Sequence, residues 1–210
     1  CMTDDVDAAV RQKTLDYDEK LKQLGYEIEE VDLDMMQYSL AMYYIIVPAE
    51  LSSNLARYDG VRYGHRAAEV KTLAELYGHS RNEGFMTENK RRIMIGSFVL
   101  SSGFFDAYYM QAQKARTLLI NEFKKLFTEY DALLMPTAPT PAFKLGENTN
   151  DPIKMYLADI MTVPASLAGL PAISVPAGTG DEGLPIGVQL IGDYQSDGNL
   201  LKLAAQVEAV

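Results

Sequence analysis

The chain has 210 residues, of which 48% are hydrophobic, enough to bury a sizeable core in one large domain or two small ones. Its formal charge of -10 gives no overall field that would attract a phosphate backbone, and the best cationic cluster, at residues 90–92, is small. We therefore expect no direct binding of nucleic acid. The single cysteine, Cys1, excludes an internal disulfide framework and a cysteine-rich metal site.

The composition also predicts where the protein works. No run approaches the roughly 18 to 20 apolar residues that a membrane-spanning helix needs. The first residues lack the basic and apolar regions of a signal peptide, and we interpret the beginning as cut or truncated. We expect a cytoplasmic protein without a membrane partner.

The first third of the chain predicts an α/β unit followed by a buried helix. Capping residues at 3–5 precede an amphipathic helix that stops at Gly25. Residues 26–33 alternate with one change of phase, which predicts an edge or bulged strand. Residues 35–55 are apolar on most faces, which predicts a buried helix that Pro48 kinks or breaks. A loop follows at residues 57–64.

The middle of the chain predicts three helices, at about residues 73–83, 87–100 and 105–130. Residues 132–135 are short and apolar and run into a proline-rich loop, which predicts a buried strand. A last helix follows Asp197, which we predict to be its cap.

Residues 159–192 are the stretch around which we expect the chain to be organised. Two segments rich in Ile and Val, at 172–177 and 186–191, each follow Gly-Leu-Pro and are typical of buried parallel or mixed strands. We see no repeat and no linker. The sequence thus predicts the α/β class.

A search for catalytic groups finds little. His65 and His79 fall in no nucleophile or metal spacing, so we predict no metal site. The serine pairs at 52–53 and 101–102 do not lie on a glycine-flanked turn between a strand and a helix, which would expose a nucleophile. We therefore predict no catalytic residue within this chain.

Three residues are candidates for ligand contacts, and each has a structural alternative. Arg92 could hold a carboxylate through two parallel hydrogen bonds, or could form an internal salt bridge with one of the many acids. Asp159 could bind a ligand ammonium, or could cap a helix starting near residue 160, which composition alone favours. Tyr43, next to Tyr44, could contact a ligand or only pack.

Several runs resemble the amidase signature family, and within it the glutaminase subunits of tRNA-dependent amidotransferases. They are SSNLARYDGVRYG at 52–64, KRRIMIG at 90–96, DAYY at 106–109 and PTAPTPAFKLG at 136–146. The resemblance covers essentially the whole chain and implies that residues 1–210 are the C-terminal part of a single amidase signature domain. It implies an α/β fold with a central mixed sheet flanked by helices, incomplete here. The family's catalytic lysine and serines would lie in the N-terminal part.

The resemblance implies a function for the intact enzyme. A serine attacks the side-chain amide of glutamine, ammonia leaves, and water releases glutamate from the acyl-enzyme. The ammonia converts Glu-tRNA(Gln) to Gln-tRNA(Gln) at the B subunit, which uses ATP and Mg, and the C subunit completes the complex. No cofactor is expected on this chain, and tRNA is expected to bind the assembled complex.

The resemblance also implies roles for the three candidates: Arg92 binds the α-carboxylate of glutamine, Asp159 the α-ammonium, and Tyr43 a further polar group. Leu51 and Ser166 depart from the family pattern, where alanine and asparagine are usual. Two alternatives stay open, namely part of an amidase that acts on another amide, and a docking module without chemistry of its own.

Overall fold

A computed structural model describes residues 6–147, 152–180 and 183–208. The chain forms two compact units, one from Cys1–Leu40 with Arg116–Val210 and the other from Ala41–Ala115. Both boundaries fall inside helices, α2 (Ser39–Asn54) and α5 (Met110–Leu126), and not in linkers. That the chain is part of a single domain stays a prediction.

The first unit contains a three-stranded sheet in the order β1-β3-β2, made of β1 (Leu133–Pro136), β2 (Ala172–Thr179) and β3 (Pro185–Ile191). The three predicted strands are thus confirmed, but β2 is not buried as predicted, because Val175 is its one buried residue. Both pairings are antiparallel, and Val188 at the centre of β3 lies opposite Pro136 and Val175. The short connection between β2 and β3 excludes the parallel alternative, because a parallel crossover needs a dozen or more residues.

Two helices, α1 (Ala8–Gln23) and α8 (Asp197–Val207), pack against this sheet. Their apolar positions and those of β2 and β3 form the core, which contains Tyr17, Leu21, Val175, Val188, Leu190, Leu200, Ala204 and Val207. The Tyr17 hydroxyl donates a hydrogen bond of 2.6 Å to the Val207 carbonyl. Burial, and then the nearby charge of Glu208, raises the pKa of this phenol. This hydrogen bond joins α1 to α8, the first and last α-helices of the unit.

Two short helices precede β2, α6 (Pro152–Leu157) and α7 (Val163–Ala168). Gly169 adopts the left-handed conformation, with φ of 73°, and its N–H and that of Leu170 bond back to Ser166 and Ala165. This ending is typical of a glycine that terminates a helix and turns the chain. The turn between α6 and α7 carries Asp159.

The second unit is helical. It contains most of α2, then α3 (Leu73–Gly84), α4 (Thr87–Val99), a π-helical turn at Phe105–Tyr109 and the first residues of α5. The loop between α2 and α3 is fastened to α3, because Arg81 donates to the carbonyls of Leu55 and Tyr58. The helices and the loop that the sequence predicted in this region are confirmed.

Several local predictions are wrong or fall on residues outside those that the structure describes. Residues 26–33 form no strand, since Tyr26 and Ile28 pack on the core from an extended segment whose other residues are mostly exposed. The caps predicted at 3–5 lie outside the described residues, and Asp7 caps α1. Asp197 is the first residue of α8 and not its cap, and α5 ends at Leu126, before the predicted residue 130.

The helix α2 continues through Pro48, so the predicted break there is wrong. Proline inside a helix loses one hydrogen bond and clashes with the preceding turn, at a cost of roughly 3 kcal/mol. Pro48 is fully buried, as are the side chains of Met42, Ile46 and Ala49 on the same helix. Tertiary packing of these apolar residues offsets the local cost.

Candidate functional site

Arg92 lies on α4, and its side chain is 25% exposed. Its Nε donates to Oε1 of Glu88, one turn earlier on the same helix, over 3.0 Å. The salt bridge with an acid, which the sequence left open for Arg92, is therefore present, and it comes from the same helix. A residue four positions away lies on the same helical face, so this spacing was readable from the sequence.

A second hydrogen bond joins Arg92 to α2, because its Nη1 donates to the hydroxyl of Tyr43 over 3.2 Å. The guanidinium carbon also lies 5.9 Å from the centre of the Tyr43 ring and 6.0 Å from that of Tyr44. The two tyrosine rings meet edge to face at 5.1 Å. The structure thus brings Arg92 and Tyr43 together.

These contacts affect the pKa of Arg92 and the donors that it has left. Burial by itself would lower the pKa of its guanidinium, but the hydrogen bonds to Glu88 and Tyr43 raise it above its ordinary value. Because an arginine guanidinium is not deprotonated in proteins, Arg92 is a permanent cation in any case. Because an arginine has five N–H donors and the two bonds use one on Nε and one on Nη1, donors remain on Nη1 and on Nη2. These donors lie along the Nη1–Nη2 edge of the guanidinium, which can bind the two oxygens of a carboxylate.

The approach of α2 to α4 is made possible by a glycine. A Cβ added at Gly96 would lie 1.9 Å from the carbonyl oxygen of Pro48 and 2.8 Å from the Cβ of Ser52. Only hydrogen fits between the two backbones at this point. Gly96 follows Arg92 by one helical turn, so this contact determines how close α4 can bring Arg92 to the tyrosine on α2.

Asp159 is exposed and lies in the turn between α6 and α7. Its backbone carbonyl accepts hydrogen bonds from the N–H groups of Thr162 and Val163, both at 3.1 Å. Its carboxylate makes no hydrogen bond within the part of the chain that the structure describes. The helix-cap interpretation is wrong, because α7 begins later than expected, at Val163, and the main chain of Asp159 supplies the acceptor.

The turn that carries Asp159 is held by Gln189, a residue that the sequence did not single out. Gln189 lies on β3, is 3% exposed, and donates through Nε2 to the Met161 carbonyl over 2.6 Å and to the Pro136 carbonyl over 3.5 Å. A buried amide must find partners, and these two carbonyls come from separate segments. The sheet thereby fixes the turn that presents Asp159.

Replacing Gln189 with methionine is expected to loosen this turn. The change roughly conserves volume but leaves the Met161 carbonyl buried without its donor, which costs on the order of 1 to 3 kcal/mol. We expect faster hydrogen exchange of the Thr162 and Val163 amides. The exposed Gln206, which bonds to Tyr26 at 3.4 Å, is the matched control for the same replacement. Unchanged exchange in Gln189→Met would show that the turn is held by other contacts.

The three candidates are divided between the two compact units. Arg92 and Tyr43 belong to Ala41–Ala115, whereas Asp159 belongs to the unit that contains the sheet. The predicted cation and the predicted anion therefore lie in different units, and the joint role of the three residues stays a prediction.

The other polar candidates take structural roles. His65 contacts Glu83 at 2.6 Å on an exposed surface, and His79 is exposed. The hydroxyls of Ser52 and Ser101 donate to carbonyls three residues earlier, those of Ala49 and Phe98. Serine often bonds back to its own helix in this way.

Two further findings concern the described residues. They contain no cluster of three or more His, Cys, Asp or Glu side chains placed to hold a metal ion. None of their helices combines the length and the apolar character that crossing a bilayer requires.

Comparison with known proteins identifies relatives of the chain. It is 52% identical over 200 residues to the A subunit of the glutamyl-tRNA(Gln) amidotransferase of Cupriavidus necator, covering 95% of this chain and 39% of that protein. It is 54% identical over 187 residues to the same protein of Geotalea daltonii, covering 89% of this chain and 39% of that protein. The chain therefore spans about two fifths of the length of these curated relatives.

Solved structures agree with the sequence relatives. The A subunit of the Thermotoga maritima glutamyl-tRNA(Gln) amidotransferase matches with a TM-score of 0.70 and 40% identity, over 95% of this chain and 38% of that one. A second structure, described as an amidase, matches with a TM-score of 0.72 and 26% identity over 98% of this chain and 42% of that one. They confirm the predicted α/β fold class with an incomplete sheet. The family model named Amidase matches residues 2–201, so the chain belongs to the amidase family.

Proposed function

We propose that the chain forms the glutamine-binding wall of the glutaminase subunit of a tRNA-dependent amidotransferase. The observation that carries this proposal is the Arg92 guanidinium, which bonds to Glu88 through Nε and to Tyr43 through Nη1 while, among the described residues, donors on Nη1 and Nη2 remain. The 52% identity to the corresponding protein of Cupriavidus necator supports the choice of substrate.

Glutamine presents one carboxylate and one ammonium a few bonds apart, and two opposite charges are needed to orient it. Arg92 would take the α-carboxylate through a bidentate pair, and Asp159 the α-ammonium. A ligand clamped at both charges directs its side-chain amide in one direction, and such orientation is a large part of catalysis by proximity. The exposed Asp159 carboxylate, which makes no hydrogen bond within the described residues, is consistent with this role.

Tyr43 has a specific part in this arrangement. Its hydroxyl oxygen accepts from Arg92, so its own proton is available for donation. A carboxylate placed on the Nη1 and Nη2 edge would lie next to this hydroxyl. Tyr43 is therefore suited to donate a third hydrogen bond to the substrate. The contact between Tyr44 and Arg92 does not give Tyr44 this role.

The rest of the reaction belongs to the remainder of the protein and its complex. In the proposal, a serine outside this chain attacks the glutamine amide, and the resulting acyl-enzyme is hydrolysed to glutamate. The released ammonia passes to the B subunit, where Glu-tRNA(Gln) is converted to Gln-tRNA(Gln) with ATP and Mg. The C subunit completes the complex, which we place in the cytoplasm, and the tRNA binds the assembled complex.

A glutaminase assay tests this proposal. The full-length protein, assembled with its B and C subunits, is expected to release glutamate and ammonia from glutamine, whereas the 210-residue chain alone is expected to show no turnover. Preferential hydrolysis of uncharged hydrophobic amides by the assembled protein would favour a different amidase. Turnover by the isolated chain that survives further purification would place the nucleophile within it and contradict the proposal.

A further inference from the structure

Glu88 makes the contact that holds the Arg92 guanidinium from its own helix. Its Oε1 accepts from Arg92 Nε over 3.0 Å, and its Oε2 accepts from Arg91 Nη1 over 2.6 Å. The carboxylate is therefore itself held at both oxygens. It lies in the first turn of α4, where a negative charge is favoured by the helix dipole.

Two hydrogen bonds on different nitrogens restrict a guanidinium far more than one. With Tyr43 alone, the planar group could rotate about its bond to that hydroxyl, because arginine has several free torsions. With Glu88 on Nε and Tyr43 on Nη1, the plane of the guanidinium is defined, and donors remain on the edge formed by Nη1 and Nη2. That edge is the one a substrate carboxylate could bind bidentately.

We propose that Glu88 is a positioning residue for the glutamine site, which orients the Arg92 fork toward the substrate carboxylate. This inference rests on the proposed function, because it takes Arg92 as the carboxylate ligand. It also makes bidentate binding through Nε and Nη2 unavailable, since Nε is occupied. Glutamine is therefore bound at the end of the fork.

A purely structural role of Glu88 would not affect the KM for glutamine. The Glu88 side chain is 43% exposed, and exposed ion pairs at this helical spacing contribute little to stability. If Glu88 positions Arg92, removing Glu88 raises the KM for glutamine and leaves the melting temperature nearly unchanged. A competing role, in which Glu88 occupies Arg92 and excludes substrate, would make its removal lower the KM.

The test uses the full-length protein in its assembled complex and measures KM and kcat for glutamine together with thermal unfolding. Glu88→Ala is expected to raise KM roughly tenfold, the effect of freeing one rotamer-rich side chain, with kcat within about twofold. Glu88→Gln keeps an acceptor for Nε and is expected to stay within about threefold of wild type. Glu88→Asp, whose reach is shorter, is expected to raise KM severalfold.

Arg91→Ala is the matched control, because it removes the shorter ion pair of the same carboxylate while leaving the bond to Arg92. We expect it to change KM much less than Glu88→Ala does. The inference is overturned if Glu88→Ala and Glu88→Asp leave KM unchanged or lower it while Arg92→Ala raises it, or if Arg91→Ala raises KM as much as Glu88→Ala. If Arg92→Ala also leaves KM unchanged, the proposed function itself fails.

Discussion

Replacing Gly96 with alanine is expected to destabilise the protein and to disrupt the site at once. The new Cβ would lie 1.9 Å from the Pro48 carbonyl oxygen and 2.5 Å from its carbonyl carbon, and both are backbone atoms that cannot rotate away. To reach ordinary contact near 3.4 Å, α2 and α4 must separate locally by about 1.5 Å. Overpacking typically costs about 1 to 3 kcal/mol, and a clash with rigid backbone falls at the upper end of that range or beyond it.

The same separation moves Arg92 away from Tyr43, whose hydrogen bond already measures 3.2 Å. A misplacement of about 1 Å at a substrate-positioning group can reduce activity on the order of a hundredfold. We therefore expect a lowered melting temperature and a glutamine KM raised by one to two orders of magnitude. Thermal unfolding and glutaminase kinetics of the full-length protein check both effects.

Gly78 on α3 is the matched control for this change. A Cβ at Gly78 meets no heavy atom within 4 Å, so alanine there should be neutral or stabilise the helix by up to about 1 kcal/mol. If Gly96→Ala unfolds at the wild-type temperature and binds glutamine normally, the two helices do not depend on this contact.

The elements that the sequence predicted well are those whose signal is local and periodic. The helices α3 and α4 begin at or next to residues with recognisable start signals and carry apolar residues at helical spacing. The strand β2 follows a proline, β3 begins with one, and both contain Ile and Val, residues that are enriched in strands. Their antiparallel pairing was not predicted, although the short connection between them implies it.

The failures have a common physical reason, since tertiary contacts decided them. Residues 26–33 alternate like a strand, but hydrogen-bonded pairing also requires a neighbouring strand, and Tyr26 and Ile28 satisfy their apolar character by packing on the core. Pro48 stays within a helix because its surroundings are buried. The sequence shows neither a partner strand nor the packing around a proline.

The candidate site was predicted unevenly for the same reason. Arg92 and Tyr43, 49 positions apart in sequence, were named through a family resemblance, and the structure brings their side chains into contact. Glu88 could have been found from its spacing to Arg92. Gln189 and Gly96 had no signal of their own, because a buried amide and a helical glycine acquire meaning only from the carbonyls that face them.

Removing either charge of the proposed clamp is expected to have the largest effect on glutamine binding. A hydrogen bond to a charged group is worth about 1.5 to 3 kcal/mol, so Arg92→Ala and Asp159→Asn should each raise KM for glutamine roughly 10- to 150-fold. The effect on kcat should be smaller, because the reacting amide lies at the other end of the substrate. Asp159→Asn should keep the wild-type melting temperature because Asp159 is exposed, whereas Arg92→Ala also removes the contact with Tyr43 and should lower the melting temperature somewhat.

A kinetic comparison of two truncated ligands tests the central claim most directly. Glutaramic acid is glutamine without its ammonium, and 4-aminobutanamide is glutamine without its carboxylate. Their inhibition constants against glutamine hydrolysis are measured in the wild type, Arg92→Ala and Asp159→Asn. The account predicts that Arg92→Ala weakens glutaramic acid at least tenfold and spares 4-aminobutanamide, and that Asp159→Asn does the reverse. Equal weakening of both ligands by either variant would contradict the assignment of these charges to the two ends of glutamine.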